Sequence, residues 1–337
     1  MLETHKGFAQ AYLAGLHALI ANGRLALPIV DPLSPASRFG IRPRRSVELI
    51  PYGFQLTEPR PSVTVIASRP LNWRYLFGQL VWFLSGSESL DFLMYYNPAA
   101  AGFSHDNLTL CGSFGRRIFG ADRHNGQIAA ILKLLKQDPG SRRAFASVIA
   151  ASDLLAPTRE TPCNCGINFF LRDGMLEVVC LMRAQHALNV LPYDAFLFLV
   201  LQQIMASELN VGVGRYVHFC STFHFYEDEI DAVQKTISHG ASEIVLPAWS
   251  GGLEALDELI EFEAVLRAAA IANDLNAIQM IVEPYASVAD KDLAHLIRDV
   301  LCVIALKIVG ALSSDHASVQ SLQKLGILNC DLSGDTL

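Results

Sequence analysis

Hydrophobic positions along this chain change their period several times, and the changes mark out its elements. Phe8, Tyr12, Leu13, Leu16 and Leu19 recur at helical spacing over residues 7–22. The segment "VELIPYGFQL" (47–56) is strand-like, and "WRYLFGQLVWFLSG" (73–86) predicts an apolar helix closed by Gly86. "GQIAAILKLLKQDPGSRR" (126–143) predicts an amphipathic helix stopped by its Asp-Pro-Gly. From residue 144 the pattern becomes strand-like: "AFASVIAA" predicts one strand, and "CGINFFLRDGMLEVVCLMR" (165–183) a hairpin turning at Asp173-Gly174. "DAFLFLVLQQIMASEL" (194–209), with an apolar run from Ala195 to Leu201, predicts a long buried helix, and "GRYVHFCSTFHFY" (214–226) predicts another strand. After about residue 245 the character is helical, over 252–272, 274–283 and 290–311, while 27–45 and 95–120 read as irregular. The order is α+β with a helical tail, and it contains no internal repeat or flexible linker.

Composition narrows the possible functions. Half of the 337 residues are hydrophobic and 18% are charged, as in a globular chain with a sizeable core. A net charge of −7 argues against broad nucleic-acid binding, because no basic excess exists to neutralise a phosphate backbone. The arginines at 42, 44 and 45 and at 142 and 143 therefore read as point anion sites. The N-terminal stretch, with Glu3, His5 and Lys6, does not have the pattern of a cleaved leader. Val300–Leu312 contains Lys307 and is shorter than the ~20 apolar residues a membrane span needs. Seven scattered cysteines fit reduced thiols in the cytoplasm better than a disulfide framework.

The stretch "TPCNCGINFF" (161–170) places two cysteines one residue apart, open to reading as half of a metal site, a nucleophile or core packing. A metal site needs a second ligand cluster, and the histidines at 186, 218 and 224 do not form one in sequence, so no metal is expected. The neighbouring segments decide the rest. "LRDGMLEVVCLMRAQHALNVLPYDAFLFLVLQQIMA" (171–206) resembles the strand, "QRS" phosphate motif, "LGLPFN" base-reading motif and buried helix of the thymidylate synthase superfamily. "TPCN" resembles its "PCH" nucleophile segment, "DPGSRR" its "DPxSRR", "STFHFYED" its "GDxHxY", and "GQLVWFLSG" its "HELLWFLxG". The resemblance runs from about residue 7 to 235. It implies a thymidylate synthase-like fold with a nucleotide-binding catalytic domain over 1–245, and the helical pattern beyond it reads as a C-terminal extension packed on that domain over 246–337.

By this resemblance Cys163 is the thiolate that adds to pyrimidine C6 and makes C5 nucleophilic. Cys165 is expected to fill the core as the first inward residue of the following strand. A nucleoside monophosphate is implied, its phosphate held by Arg183 and one of Arg44 and Arg45, with Arg142 and Arg143 reaching across from the second subunit of a homodimer. His224 and Tyr226 fall where the family binds the sugar 3′-hydroxyl. Asp194 stands where the uracil enzymes have an asparagine, and a carboxylate suits the amino group of cytosine. Asp194 also stands at the start of the 194–208 helix, a position suited to capping it. Ala184 replaces the motif serine, as in cytidylate hydroxymethylases, where a smaller residue helps accept a ribose. The implied carbon donor is 5,10-methylenetetrahydrofolate.

Several positions depart from the family. Gln79 occupies the place of the glutamate that moves protons around the base, and a glutamine cannot act as a general base at neutral pH. His186 replaces the aspartate that orients the folate, Val190 replaces a glycine near it, and Asn164 replaces the histidine after the nucleophile. The "WDEW" stretch associated with reductive methyl formation is missing from 95–110, and helices stand in place of the C-terminal strands. These changes argue against full methyl formation and leave transfer of one carbon ending in water addition, with Ala184 favouring CMP over dCMP. They also keep open a nucleotide-binding paralogue without folate chemistry.

Overall fold

The computed structural model describes residues 2–27, 44–155, 161–285 and 292–326. Most of the 27–45 loop, and Cys330, lie outside them. The strands are β1 (Glu3–His5), β2 (Arg24–Ala26), β3 (Ser46–Leu49), β4 (Tyr52–Leu56), β5 (Ser62–Ile66), β6 (Phe145–Ser147), β7 (Asn164–Arg172), β8 (Met175–His186), β9 (Gly212–Tyr226) and β10 (Ala241–Val245). One sheet runs β1-β4-β9-β8-β7-β6, with β3 beside β9 and β2 on β3, while β5 and β10 form a separate pair. β8 and β9 are parallel and β7 and β8 antiparallel, so the sheet is mixed. The segment expected as one strand over 47–56 is two, parted at Ile50-Pro51, where proline cannot donate to the ladder. Both halves still pair with β9.

Asp173 and Gly174 turn the β7–β8 hairpin with φ of 51° and 72°. Two successive positive φ values match the twist of the flanking strands. Farther along, the inward-outward alternation slips by one residue. On β8 the buried set runs through Leu176, Val178, Cys180 and Met182 and resumes at Gln185; on β9 it runs through Tyr216, His218 and Cys220 and resumes at Phe223. On β7 the register shifts between Asn164 and Gly166. This bulge corrects one expectation: Asn164 is the inward residue and is fully buried, whereas Cys165 is only half-buried.

The labelled helices are α1 (Phe8–Asn22), α2 (Trp73–Leu84), α3 (Leu90–Tyr96), α4 (Phe114–Phe119), α5 (Gln127–Gln137), α6 (Leu191–Leu209), α7 (Ile230–His239), α8 (Gly252–Ile271), α9 (Leu275–Val282), α10 (Leu293–Ile308) and α11 (Ala317–Lys324). α6 is buried on nearly every side. Pro192 occupies its first turn, where a missing N–H costs nothing, and Asn210 ends it in the left-handed conformation. Gln202 on α6 donates to the carbonyls of Leu176 (2.8 Å) and Gly214 (3.1 Å) beside a second register slip between β8 and β9. The side chain thus satisfies backbone groups at the slip and fixes the helix over the sheet.

α2 begins at Asn72, whose side chain accepts from Tyr75 N at 2.8 Å. Gly78 lies so close to the Tyr96 ring that a Cβ there would sit 2.1 Å from it, and this allows α2 and α3 to touch. Behind them, α8 and α10 pack against α2, and Tyr96 Oη donates to the buried Glu263 of α8 at 2.7 Å. Among the described residues no helix is long and apolar enough to cross a membrane.

Candidate active site

The N-termini of α2 and α6 meet above the sheet. The Asn72 N–H donates to Tyr193 Oη at 2.9 Å, and the Tyr75 and Tyr193 rings lie 5.2 Å apart. This contact sets the spacing of Gln79, one turn after Tyr75, and Asp194, the residue after Tyr193. Between them and Cys163, just ahead of β7, is a cavity of about 310 Å³ lined by all three side chains. Tyr75, Trp82, Phe83 and Leu197 form one wall; Leu93, Asn97, Phe103 and Phe114 form another. Apart from Leu93 on α3, the second wall comes from the 95–120 stretch expected to be irregular, which contains a 3-10 turn over Pro98–Phe103 and α4. Sequence reasoning missed these lining residues, because an aromatic residue in a short helix reads as core.

Arg183 grips the segment before the nucleophile. Its Nε donates to Pro162 O at 2.9 Å, its Nη2 to Thr161 O at 2.8 Å, and its backbone N–H to Cys163 O at 2.8 Å. The guanidinium is therefore fixed against the Thr161–Pro162 backbone just ahead of Cys163. Cys165 on the bulge has its thiol pushed up by burial, against the opposing pull of Arg183.

Asp194 is 3% exposed. Burial raises its carboxyl to about 7, against the lowering effect of a hydrogen bond from Gln185 Nε2 at 3.0 Å. Between its ordinary value of 3.8 and about 7 the folded protein holds a proton that the unfolded chain releases, so stability falls as pH rises through this window. Asp194→Asn is expected to remove the slope, stabilising the free protein by a few kcal/mol more at about pH 8 than at about pH 4 in urea titrations. Gln79 has its Oε1 buried without a hydrogen-bond partner, an orphaned acceptor beside the cavity.

The remaining site residues form a second cluster around Glu229. His186 Nε2 lies 2.8 Å from Glu229 Oε2, and the Asn189 N–H donates to His186 Nδ1 at 3.1 Å. The backbone donor assigns the ring proton to Nε2, so both nitrogens are engaged, and His186 does not line the cavity. Asn189 Nδ2 and the Tyr226 N–H also donate to Glu229, at 2.9 Å each. Burial pushes the Glu229 carboxyl up, but the bonds from His186 and Tyr226 outweigh it and hold it below its usual range. The His224 ring lies 5.5 Å from His186 and 5.6 Å from Tyr226; burial, then His186, lower it to about 4, so it is neutral. Arg44 stacks on Tyr226 at 3.8 Å and pairs with Asp228, while Arg45 pairs with Glu227 at 3.1 Å. Ala184 is half-buried opposite Thr222. Arg142 and Arg143 are exposed after α5, and neither is ion-paired among the described residues nor among those lining the cavity. No group of three or more His, Cys, Asp and Glu side chains suited to a metal occurs among the described residues.

Comparison with known proteins agrees with this fold. The family model of thymidylate synthase matches residues 37–249, and the chain belongs to that family of one-carbon transferases. It is 26% identical over 239 residues to the deoxyuridylate hydroxymethyltransferase of Bacillus phage SP01, an alignment covering 66% of this chain. The chain spans 58% of the length of that relative.

Proposed function

We propose that this protein transfers a one-carbon unit to C5 of a cytosine nucleotide and completes it as a hydroxymethyl group, with CMP preferred over dCMP. The observation that carries the reading is the convergence of Cys163, Gln79 and Asp194, from three distant segments, on one cavity. Cys163 adds to C6 of the ring, and the electrons of the C5–C6 double bond make C5 nucleophilic. Asp194 accepts from the amino group of cytosine. C5 bonds the transferred carbon and gives up its hydrogen as a proton, which leaves an exocyclic methylene. Gln79 holds the water that adds to this methylene and loses a proton, and cleavage of the C6–S bond restores the C5–C6 double bond and returns Cys163 as a thiolate. Arg183 meets the phosphate with the N–H groups not used on Thr161 and Pro162, Arg44 or Arg45 adds to it, and a second subunit supplies Arg142 and Arg143. His224 and Tyr226 hold the sugar, and Ala184 leaves room for its 2′-hydroxyl.

The cavity fits a flat carrier such as 5,10-methylenetetrahydrofolate, with Trp82, Phe103 and Val190 as apolar surfaces and Asn97 and the orphaned Gln79 Oε1 as polar edges. When bound, the carrier supplies a methylene at the oxidation level of formaldehyde. His186 is assigned to the Glu229 cluster instead, since both its ring nitrogens are engaged.

A second reading, hydroxymethylation of a uracil nucleotide, is favoured by the raised Asp194, because a protonated carboxyl can donate to O4 and accept from N3–H. Mass spectrometry of CMP, dCMP and dUMP incubated with the carrier decides between them: gain of one CH2O on CMP is expected, and gain on dUMP alone would overturn the cytosine reading. Gln79→Glu is expected to speed exchange of the C5 hydrogen by about 100-fold, measured by tritium release, because it restores a proton-transfer group at the cavity.

A further inference from the structure

A buried string of hydrogen bonds leads from the nucleophile's strand to Asp194. Asn164, next to Cys163, donates from Nδ2 to Cys180 Sγ at 3.1 Å, and Cys180 meets the Tyr216 hydroxyl. Tyr216 Oη is 2.8 Å from His218 Nδ1, and His218 Nε2 is 3.1 Å from Gln185 Oε1. Gln185 Nε2 donates to Asp194 Oδ2. Gln185 is 1% exposed, and His218 and Tyr216 are fully buried. Gln185 joins this string only because β8 slips its alternation after Met182.

The direction of the bonds follows from its end. An ionised carboxylate only accepts, so Gln185 must present its amide nitrogen to Asp194 and its carbonyl to His218. His218, lowered by burial to about 3, is neutral and has one ring proton, which the Gln185 carbonyl places on Nε2. Its Nδ1 is then an acceptor, and Tyr216 donates to it. From Tyr216 onward every donor points toward Asp194, and Gln185 cannot flip without breaking both of its bonds.

We propose that Gln185, locked by His218 and Tyr216, is a positioning residue that sets base choice by keeping Oδ2 of Asp194 occupied and presenting Oδ1 to the ring as an acceptor. This rests on the cytosine reading above. Oδ1 makes no hydrogen bond among the described residues, and Asp194 lines the cavity. When Asp194 is ionised, Oδ1 accepts from the cytosine amino group and repels O4 of uracil. When Asp194 is protonated, the proton sits on Oδ1 and donates to N3 of cytosine or O4 of uracil alike. The amide bond from Gln185 favours the ionised form, and removing it favours the protonated one.

The titratable groups around Asp194 are Cys180 on β8, Tyr216, His218 and Cys220 on β9, Tyr193 on α6, and Cys163 and Tyr75 across the cavity. Burial keeps Cys180, Tyr216 and Cys220 protonated and His218 neutral, so none of these four changes charge near neutrality.

The test measures dissociation constants for CMP and UMP by calorimetry across about pH 6 to 9. It uses the wild type, the near-isosteric Gln185→Met, and His218→Phe, which frees Gln185 to turn without touching the base. The wild type is expected to prefer CMP at the alkaline end and to lose that preference on acidification. In Gln185→Met the preference falls by about 10-fold, chiefly through tighter UMP binding, and its midpoint moves to higher pH. His218→Phe shifts both in the same direction, and a thermal transition like the wild type's shows that the fold is kept. If Gln185→Met fails to fold, His218→Phe decides. A wild type that binds both nucleotides alike overturns the cytosine reading and this proposal with it. A wild-type preference and midpoint unchanged in the folded variants overturn the role of Gln185 alone.

Discussion

Cys163→Ala is expected to cut release of tritium from C5 of CMP by about 10⁴-fold or more while leaving nucleotide binding within a few-fold. The asymmetry follows from what the thiol contributes. C5 of a pyrimidine exchanges its hydrogen only after a nucleophile saturates the C5–C6 bond, and no other side chain lining the cavity can do this at neutral pH. Tyr75 is a phenol, Thr161 an alcohol, Gln79 an amide and Asp194 a carboxyl. Cys165 cannot substitute, because the bulge turns it away from the cavity lining and burial keeps its thiol protonated. Binding is expected to survive because the phosphate and sugar contacts proposed for Arg183, His224 and Tyr226 do not involve the thiol. The backbone carbonyls that Arg183 grips remain in the variant. Calorimetry with CMP and tritium counting on the same preparation check both halves. Binding lost together with exchange would mean that Cys163 maintains the cavity instead of reacting in it.

Asp194→Asn is expected to move the ratio of CMP to UMP turnover by roughly 10³- to 10⁴-fold toward uracil. Asparagine donates to O4 and accepts from N3–H, and it faces cytosine's amino group and N3 with the wrong pairing. A buried polar mismatch is penalised heavily, since at 3% exposure no solvent relieves it. The amide introduced by this substitution still accepts from Gln185 Nε2 through its own oxygen, so the buried string remains satisfied and the effect reads base choice. Kinetics on both nucleotides check it, and an unchanged ratio would remove Asp194 from base recognition.

The hairpin at Asp173-Gly174 and the helix 191–209 were legible because each has a strong local signal: a turn dipeptide between apolar runs, and an apolar run of helical length. The cavity trio was legible through motifs, since Cys163, Gln79 and Asp194 occupy positions with a recognisable local setting. Three things were not legible. Asn164 rather than Cys165 turns inward because a bulge shifts the alternation, and the sequence shows no marker for it. The β5–β10 pair joins segments about 180 positions apart whose short, mixed patterns give no hint of partnership. Gln185, His218 and Tyr216 read as scattered polar residues on two strands; only parallel pairing of β8 with β9 brings them into one buried line.

The central claim is that Cys163, Gln79 and Asp194 form one reaction site for a cytosine nucleotide. The most direct measurement incubates the purified protein with C5-tritiated CMP, with and without 5,10-methylenetetrahydrofolate, and counts tritium released to water. Release from CMP in the wild type, lost in Cys163→Ala, is the predicted result. Tight CMP binding with no release under either condition would contradict the reaction and leave a nucleotide-binding protein.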